Sequence, residues 1–114
     1  MISCKERNAT RLSLSMLDDA NGVVSCLRGV YTEENIFIIT CVFTEEAHRN
    51  KGYATTLLKR AVWEAKRNGI QAIKLDDCTD NFRQPENIYL QNGFSYDTAG
   101  FPEMTLELIP GITR

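Results

Sequence analysis

The sequence predicts an α+β fold in which a mixed, mostly antiparallel sheet carries one long helix and one short helix. Three observations on its 114 residues support this prediction. Segments before Phe43 alternate or cluster apolar side chains as strands do, whereas apolar residues after Gly52 recur at helical spacing. The remaining strands are separated by one further short helical segment. Because no repeat, linker or low-complexity stretch interrupts this order, we expect residues 1–114 to form a single domain.

The first half of the chain predicts consecutive antiparallel strands. Residues 11–17 alternate apolar and polar side chains, which is typical of a half-buried strand. A turn that ends in Asn21-Gly22 predicts a hairpin into a strand at 23–31. After a second turn, the apolar run 36–43 predicts a central strand that is covered on both faces.

The second half begins with a change of period after Gly52. The residues that recur at helical spacing are Ala54, Leu57, Leu58, Ala61, Val62 and Ala65. Asn68-Gly69 predicts the end of this helix. The elements expected after it are a strand at 70–75, a short helix at 85–91, and strands at 94–96 and 104–109.

Composition excludes several classes of function. The formal net charge is −2, so no global basic field predicts a nucleic-acid partner. No apolar run approaches the roughly 20 residues needed to cross a bilayer, and the first seven residues carry charges where a secretory signal needs apolar side chains. We therefore expect a cytoplasmic protein with no membrane partner. The four cysteines form no Cys-x-x-Cys pair and His48 is the only histidine, so no metal site is expected.

The acidic residues occur in pairs close to predicted strand ends. Such pairs are either solvated turn residues or part of a site for a cationic substrate. The pairs are Asp18-Asp19, Glu33-Glu34, Glu45-Glu46 and Asp76-Asp77.

The stretch from Arg49 to Ala54 lies between the apolar strand and the long helix. A strand that turns into a helix exposes backbone N–H groups that have no intrahelical partner, and these groups form an anion site at the positive helix end. Gly52 leaves room for a pyrophosphate. The P-loop pattern and the dinucleotide fingerprint are both absent, so neither of those nucleotide sites is predicted.

Two motifs in this context resemble the GNAT acetyltransferase superfamily. Arg49, Gly52 and Ala54 match its Gln/Arg-x-x-Gly-x-Gly/Ala signature for coenzyme A, and Tyr89 to Phe94 is similar to its Tyr-x-x-x-Gly-Phe segment. The order of elements also agrees from about residue 11 to residue 108. The resemblance implies a GNAT-like sheet with abbreviated N-terminal helices, and acetyl-CoA as the cofactor.

The resemblance also implies which residues hold the cofactor. Two neighbouring parallel strands would diverge near Thr44 and Asp76, with the pantetheine arm between them. The residues implied for the arm are Val42, Phe43 and Thr44. Those implied for the pyrophosphate are Arg49, Asn50, Lys51, Gly52, Tyr53, Ala54 and Thr55, and Asn81 is a further candidate.

For catalysis, the resemblance implies direct attack of an amine on the thioester in a ternary complex. Tyr89 would protonate the departing sulfur, although it could instead be an aromatic residue packed under Phe94. Asp76 and Asp77 are the candidates for a general base acting through water. More distant carboxylates, or a water chain ending on backbone carbonyls, are the alternatives.

The acceptor is expected to be a primary amine, most simply a putrescine- or spermidine-like polyamine. The acidic pairs and the few residues before the first predicted hairpin support this, and Asn87-Ile88-Tyr89 is similar to the Asn-Phe-Tyr of diamine acetyltransferases. The open acceptor side could also be completed by a second copy of the chain. The alternatives are a protein lysine or N-terminal amine as acceptor, or a module that binds coenzyme A without catalysis.

Overall fold

The computed structural model describes residues 1–98 and 100–108 and confirms the α+β class. Its strands form one sheet in the order β1-β2-β3-β4-β5-β7-β6, in which only the β4–β5 pair is parallel. The strands are β1 (Ile2–Arg7), β2 (Arg11–Leu17), β3 (Val23–Tyr31), β4 (Ile36–Thr44), β5 (Ala72–Asp76), β6 (Ser95–Tyr96) and β7 (Glu103–Glu107). The helices are α1 (Tyr53–Arg67) and α2 (Ile88–Gln91), with a 3₁₀ turn at Glu46–His48.

The core lies between one face of the sheet and α1. The apolar positions of β2, together with Leu27 of β3 and Phe37 of β4, are buried against the stripe that the sequence predicts on the helix. The stripe residues Leu57, Leu58, Ala61 and Ala65 are all buried. None of the helices in the described residues has the length and apolarity needed to cross a membrane.

A close approach of β3 and β4 holds the centre of this core together. The ring of Phe37 lies over Gly29, where an added Cβ would come within 2.3 Å of the Phe37 ring and 2.7 Å of the Ile38 carbonyl oxygen. Tyr31 packs on the same ring at a centroid distance of 4.8 Å. Glycine is therefore required at position 29 for a steric reason.

The sequence prediction missed β1. This strand pairs with β2 along the sheet edge and contains a bulge at Lys5. It is further fixed by Arg7, whose guanidinium donates to both carboxylate oxygens of Glu64 on α1. Glu64 is only 5% exposed, and the hydrogen bonds from Arg7 lower its pKa despite burial. Since β1 has no apolar alternation, these contacts rather than a sequence pattern define it.

Three predicted elements differ from the observed ones. β4 is not covered on both faces: Phe37 and Ile39 are buried, but Phe43 is 50% exposed because α1 covers one face only. The short helix begins at Ile88 instead of residue 85, because the Asn87 side chain caps it there. The last described strand ends at Glu107, and the predicted end at residue 109 lies outside the described residues.

We predict that Gly29→Ala destabilises the fold by about 1–3 kcal/mol, because the added methyl group overpacks the buried Phe37 ring. Urea unfolding followed by circular dichroism measures this change. Adding Phe37→Leu to the Gly29→Ala chain should recover part of the loss. An unchanged unfolding midpoint for Gly29→Ala would show that the close approach is not needed.

Candidate active site

The site begins where β4 and β5 separate. They pair only from Ile36 to Ile38 on β4 and from Ala72 to Lys74 on β5. β4 then contains a bulge at Thr40, where its register against β3 shifts. A bulge bends and twists its strand, so the remainder of β4 turns away from β5 and leaves the β5-facing edge of residues 39–44 unpaired. The divergence of the two strands that the family resemblance implies is therefore present.

A second set of unpaired groups lies at the start of α1. Gly52 adopts a left-handed conformation with φ of 80°, gives no side-chain cap, and has nothing within 4 Å of the position of a Cβ. The first turn of α1 contains no acidic residue. The amides of Tyr53 to Thr55 therefore have no acceptor among the described residues, at the positive end of a 15-residue helix. This arrangement suits a diphosphate.

One open cavity of about 550 Å³ joins the two features. Its wall contains every cofactor residue that the resemblance implies except Lys51, whose Nζ lies 3.4 Å from His48 Nδ1. The predicted residues in the wall are Val42, Phe43, Thr44, Arg49, Asn50, Gly52, Tyr53, Ala54, Thr55 and Asn81. Strand-edge amides, an exposed apolar ring and helix-end amides match the amide-bearing arm and the diphosphate of coenzyme A.

Tyr89 lies in the wall of the same cavity. It is 6% exposed, and its ring packs edge-on against Phe94 at a centroid distance of 5.9 Å. Its hydroxyl has no hydrogen-bond partner among the described residues. Every fully buried side-chain oxygen in those residues has a hydrogen-bond partner. Because the Tyr89 hydroxyl has none, it is not fully buried and reaches the cavity that Tyr89 lines. The two interpretations of Tyr89 that the sequence allowed are thus compatible, because its ring packs while its hydroxyl is free.

Burial raises the pKa of Tyr89 to about 12, and the negative charges of Asp77, Cys78 and Cys41 act in the same direction. The phenol therefore remains protonated throughout the physiological pH range. It is a weaker acid than an ordinary phenol, whose pKa is about 10.

The two aspartates after β5 have different environments. Asp76 is exposed and lies opposite Glu103 of β7 in the sheet register. Asp77 is 3% exposed and does not line the cavity; its oxygens accept hydrogen bonds from Thr79, Asn87 and Tyr96. Burial alone would raise the pKa of Asp77, but these hydrogen bonds outweigh it and lower the pKa. Asp77 is thus not free to take a proton from a substrate, contrary to the expectation that it serves as a base.

The acidic pairs are divided between the two ends of the sheet. Since β4 and β5 are parallel, their carboxyl ends lie at the same end of the sheet, and Glu45-Glu46 and Asp76-Asp77 lie there. Asp18-Asp19 lies at that end too, because β3 begins beside the end of β4. Glu33-Glu34 lies in the β3–β4 turn at the opposite end, which removes this pair from the site.

The sequence prediction missed six residues of the cavity wall. They belong to the turns on either side of the cavity and to the start of α2: His48, Cys78, Thr79, Asp80, Glu86 and Ile88. The available signals were the Asn87-Ile88-Tyr89 motif, which includes Ile88, and the place of Cys78 shortly after the predicted strand.

Comparison with known proteins identifies the same family as the sequence motifs. A family model described as an acetyltransferase (GNAT) domain matches residues 13–96. Among solved structures, a GNAT-family acetyltransferase from Staphylococcus aureus Mu50 superposes with a TM-score of 0.77 at 18% identity, covering 90% of this chain and 71% of that one. An IAA acetyltransferase from Bacillus cereus ATCC 14579 gives 0.74 at 18% identity, with coverages of 87% and 79%.

The PaiA N-acetyltransferase from Thermoplasma acidophilum, solved in complex with coenzyme A, gives a TM-score of 0.72 at 22% identity and covers 86% of this chain and 61% of that one. At these identities the solved structures establish a common fold. Among curated protein sequences, none matches this chain.

We predict that Gly52→Asp weakens coenzyme A binding at least tenfold, or about 1.4 kcal/mol, because it places a carboxylate beside the helix-end amides that suit the diphosphate. Gly52→Asn is the matched control: it has the same size and also tolerates the left-handed conformation, but it is neutral. Calorimetry should give a smaller loss for Gly52→Asn, and the difference between the two variants should shrink in high salt. Equal losses would place the diphosphate elsewhere.

Proposed function

Because the chain belongs to the GNAT acetyltransferase domain family and is an acetyl-CoA-dependent N-acetyltransferase, we propose that residues 1–114 act as a single domain that acetylates a short polyamine. Acetyl-CoA supplies an activated acetyl thioester. In the transfer, the acetyl carbon exchanges its bond to sulfur for a bond to the amine nitrogen. A protonated amine loses one proton before it attacks and a second as the amide forms, while the departing sulfur gains one and the other is released to solvent. The chain therefore has to provide both a proton donor and a proton acceptor.

The residues that bind the cofactor are proposed from the cavity wall. The unpaired edge of Val42 to Thr44 would hold the arm, and the amides of Tyr53 to Thr55 would hold the diphosphate. Asn81 also lines the cavity. Its backbone carbonyl oxygen accepts from Asn87 Nδ2 at 3.4 Å. Arg49 donates from Nε to the Thr44 carbonyl oxygen and thereby links the strand edge to the loop before α1.

We assign the proton donor to Tyr89. Its hydroxyl keeps its proton because the pKa is raised to about 12, and the hydroxyl reaches the cavity without a protein partner. A donor of this kind first stabilises negative charge on the leaving sulfur by hydrogen bonding. Its pKa of about 12 lies above the ordinary thiol value of about 8.5, so complete transfer of its proton to the thiolate is unfavourable and the hydrogen bond is the larger part of its role.

The observation that carries the choice of a polyamine is the pair formed by Asp76 and Glu103. Both carboxylates are exposed, they face each other across the β5–β7 register, and neither forms an ion pair within the described residues. Like charges directly opposite each other destabilise a sheet, and a cation bound between them offsets that cost. Asp76 lies two residues before Cys78, which lines the cavity, so one ammonium group could be held at the pair while a second amine reaches the thioester.

The proton acceptor is the second role proposed for Asp76. An amine with a pKa near 10.4 is protonated at pH 7, and removing that proton costs about 4–5 kcal/mol. Asp76 is exposed to solvent and is the last residue of β5, two residues before Cys78 in the cavity wall, so a water molecule could connect it to the amine. Asp77 has no free oxygen for this task.

We predict that Tyr89→Phe lowers kcat by about 10²-fold or more while the Kd for coenzyme A changes less than about twofold, because only the hydroxyl is removed. Tyr31→Phe is the matched control, since Tyr31 lies outside the cavity, its hydroxyl accepts from Asn68 Nδ2, and its loss should have little effect on kcat. Steady-state kinetics and calorimetry measure the two quantities. Full turnover by Tyr89→Phe would remove the assigned donor, and no turnover by any form of the chain would leave a module that only binds coenzyme A.

We predict that putrescine or spermidine is acetylated in a panel of polyamines and basic peptides, and that Asp76→Asn and Glu103→Gln each raise the KM for the polyamine about tenfold through loss of an ionic contact. Glu107→Gln is the control, because Glu107 lies on the same strand but at the opposite end of the register. The KM should also rise with ionic strength. Turnover of peptides alone would show that the acceptor is a protein lysine or an N-terminal amine.

A further inference from the structure

A polar cluster built around two buried side chains lies next to Tyr89. We define this cluster as Asp77, Thr79, Asn87 and Tyr96, which come from the loop after β5, the start of α2 and β6. Asp77 Oδ1 accepts from the backbone N–H and the hydroxyl of Thr79, and Asp77 Oδ2 accepts from Asn87 Nδ2 and the Tyr96 hydroxyl. Each oxygen of the carboxylate therefore accepts two hydrogen bonds, at a side chain with 3% exposure.

Asn87 connects this carboxylate to the backbone of Tyr89. The Asn87 side chain is fully buried, with 0% exposure. Its Oδ1 accepts from the backbone N–H of Tyr89 at 2.9 Å and from that of Leu90 at 3.1 Å. Its Nδ2 donates to Asp77 Oδ2 at 2.8 Å and to Thr79 Oγ1 at 3.1 Å. One amide thus joins the end of β5 to the first turn of α2.

Burying such a cluster contributes little net free energy to the stability of a fold. A buried carboxylate loses its hydration, and hydrogen bonds recover that free energy only when the geometry is good and every lone pair is used. A packed apolar group would do as well or better in the same volume. A short helix of four residues, however, has little intrinsic stability, so its orientation depends on its capping contacts.

We propose that Asp77 and Asn87 are positioning residues that fix the Tyr89 hydroxyl at the cavity wall. This inference rests on the donor role proposed for Tyr89 above. The chain of contacts runs from the Asp77 carboxylate to the Asn87 amide and then to the Tyr89 backbone, so α2 cannot rotate without breaking buried hydrogen bonds. Tyr96 and Thr79 complete the carboxylate's shell and hold it in one orientation.

The charge of the cluster adds an electrostatic effect. The groups whose negative charge acts on Tyr89 are Asp77 and Cys78 after β5 and Cys41 on β4. Asp77 is the first of these after burial itself, and it is ionised because its own pKa is lowered. The cluster therefore fixes the position of the Tyr89 hydroxyl and also raises its pKa.

Two variants separate these effects. Asp77→Asn keeps the shape but removes the charge, and it turns one accepting group into a donor that faces other donors. Asn87→Ser keeps an oxygen that can cap α2 but removes the amide that reaches Asp77, and it leaves the Asp77 charge in place. Asp97→Asn is the control, since this carboxylate contacts Lys74 and Thr105 outside the cluster.

The first measurement is the titration of Tyr89, followed by NMR of ¹³Cζ-labelled tyrosine and assigned with Tyr89→Phe. In Asp77→Asn the midpoint should fall below about 12, because a negative charge that favours the neutral phenol is gone, while burial, the larger cause, still keeps the pKa raised. In Asn87→Ser and Asp97→Asn the midpoint should stay where it is. A loss of packing alone would not produce this difference between variants.

The second measurement is steady-state kinetics. Both Asp77→Asn and Asn87→Ser should lower kcat about 10- to 100-fold through misplacement of the hydroxyl, with the KM for acetyl-CoA changed less than about twofold. If Asp77→Asn does not fold, Asn87→Ser and Tyr96→Phe provide the test, since Tyr96→Phe removes a single donor to Asp77. Unchanged kcat in the folded variants would overturn the inference.

The two proposals fail in different ways. If Tyr89→Phe keeps full turnover, the donor role is lost, yet the NMR midpoint still reports whether Asp77 acts on Tyr89. If Tyr89→Phe is inactive while Asp77→Asn and Asn87→Ser keep the wild-type kcat and midpoint, the donor role stands and the positioning role is wrong.

Discussion

The divergence of β4 and β5 is the constraint on which the rest of this structure depends. Three paired positions hold the two parallel strands together, and the bulge at Thr40 then turns β4 away. A sheet rarely leaves interior strand edges unpaired, since each free N–H or C=O needs another partner. Here the unpaired edge, the amides at the start of α1 and the Tyr89 hydroxyl face one cavity. A ligand that carries its own amides and a diphosphate satisfies all of these groups together.

Charge divides the site into two parts. Around Gly52, backbone donors and the positive end of α1 are not neutralised by any acidic residue of the first turn, so that part favours an anion. At the end of β5, Asp76 and Glu103 are exposed and form no ion pair among the described residues, so that part favours a cation. An anionic cofactor and a cationic acceptor would therefore approach from regions of opposite potential, which keeps each from occupying the place of the other.

Two buried carboxylates, those of Glu64 and Asp77, have different roles in this fold. Glu64 binds Arg7 and fastens the edge strand β1 to α1, so its contacts concern the assembly of the sheet. Asp77 binds no cation among the described residues; it is held entirely by neutral donors, and its charge remains to act on neighbouring groups. A carboxylate surrounded by neutral dipoles retains a long-range field that an ion pair would cancel. This difference is why the cluster at Asp77 bears on the chemistry of Tyr89.

The sequence by itself determined the strands, the long helix and the anion-binding turn, because each of these is encoded by local periodicity or by residues a few positions apart. Gly52 could be found in this way, whereas Arg49, Asn81 and Tyr89 were predicted from the resemblance to the GNAT motifs. Only the tertiary structure decided the rest. β1 depends on backbone pairing with β2 and on Arg7 reaching Glu64, two contacts without a local signature. The separate environments of Asp76 and Asp77 follow from their opposite orientations at one strand end, since successive side chains of a strand point to opposite faces. Two adjacent aspartates therefore have different environments, and one carboxylate is exposed while the other is buried.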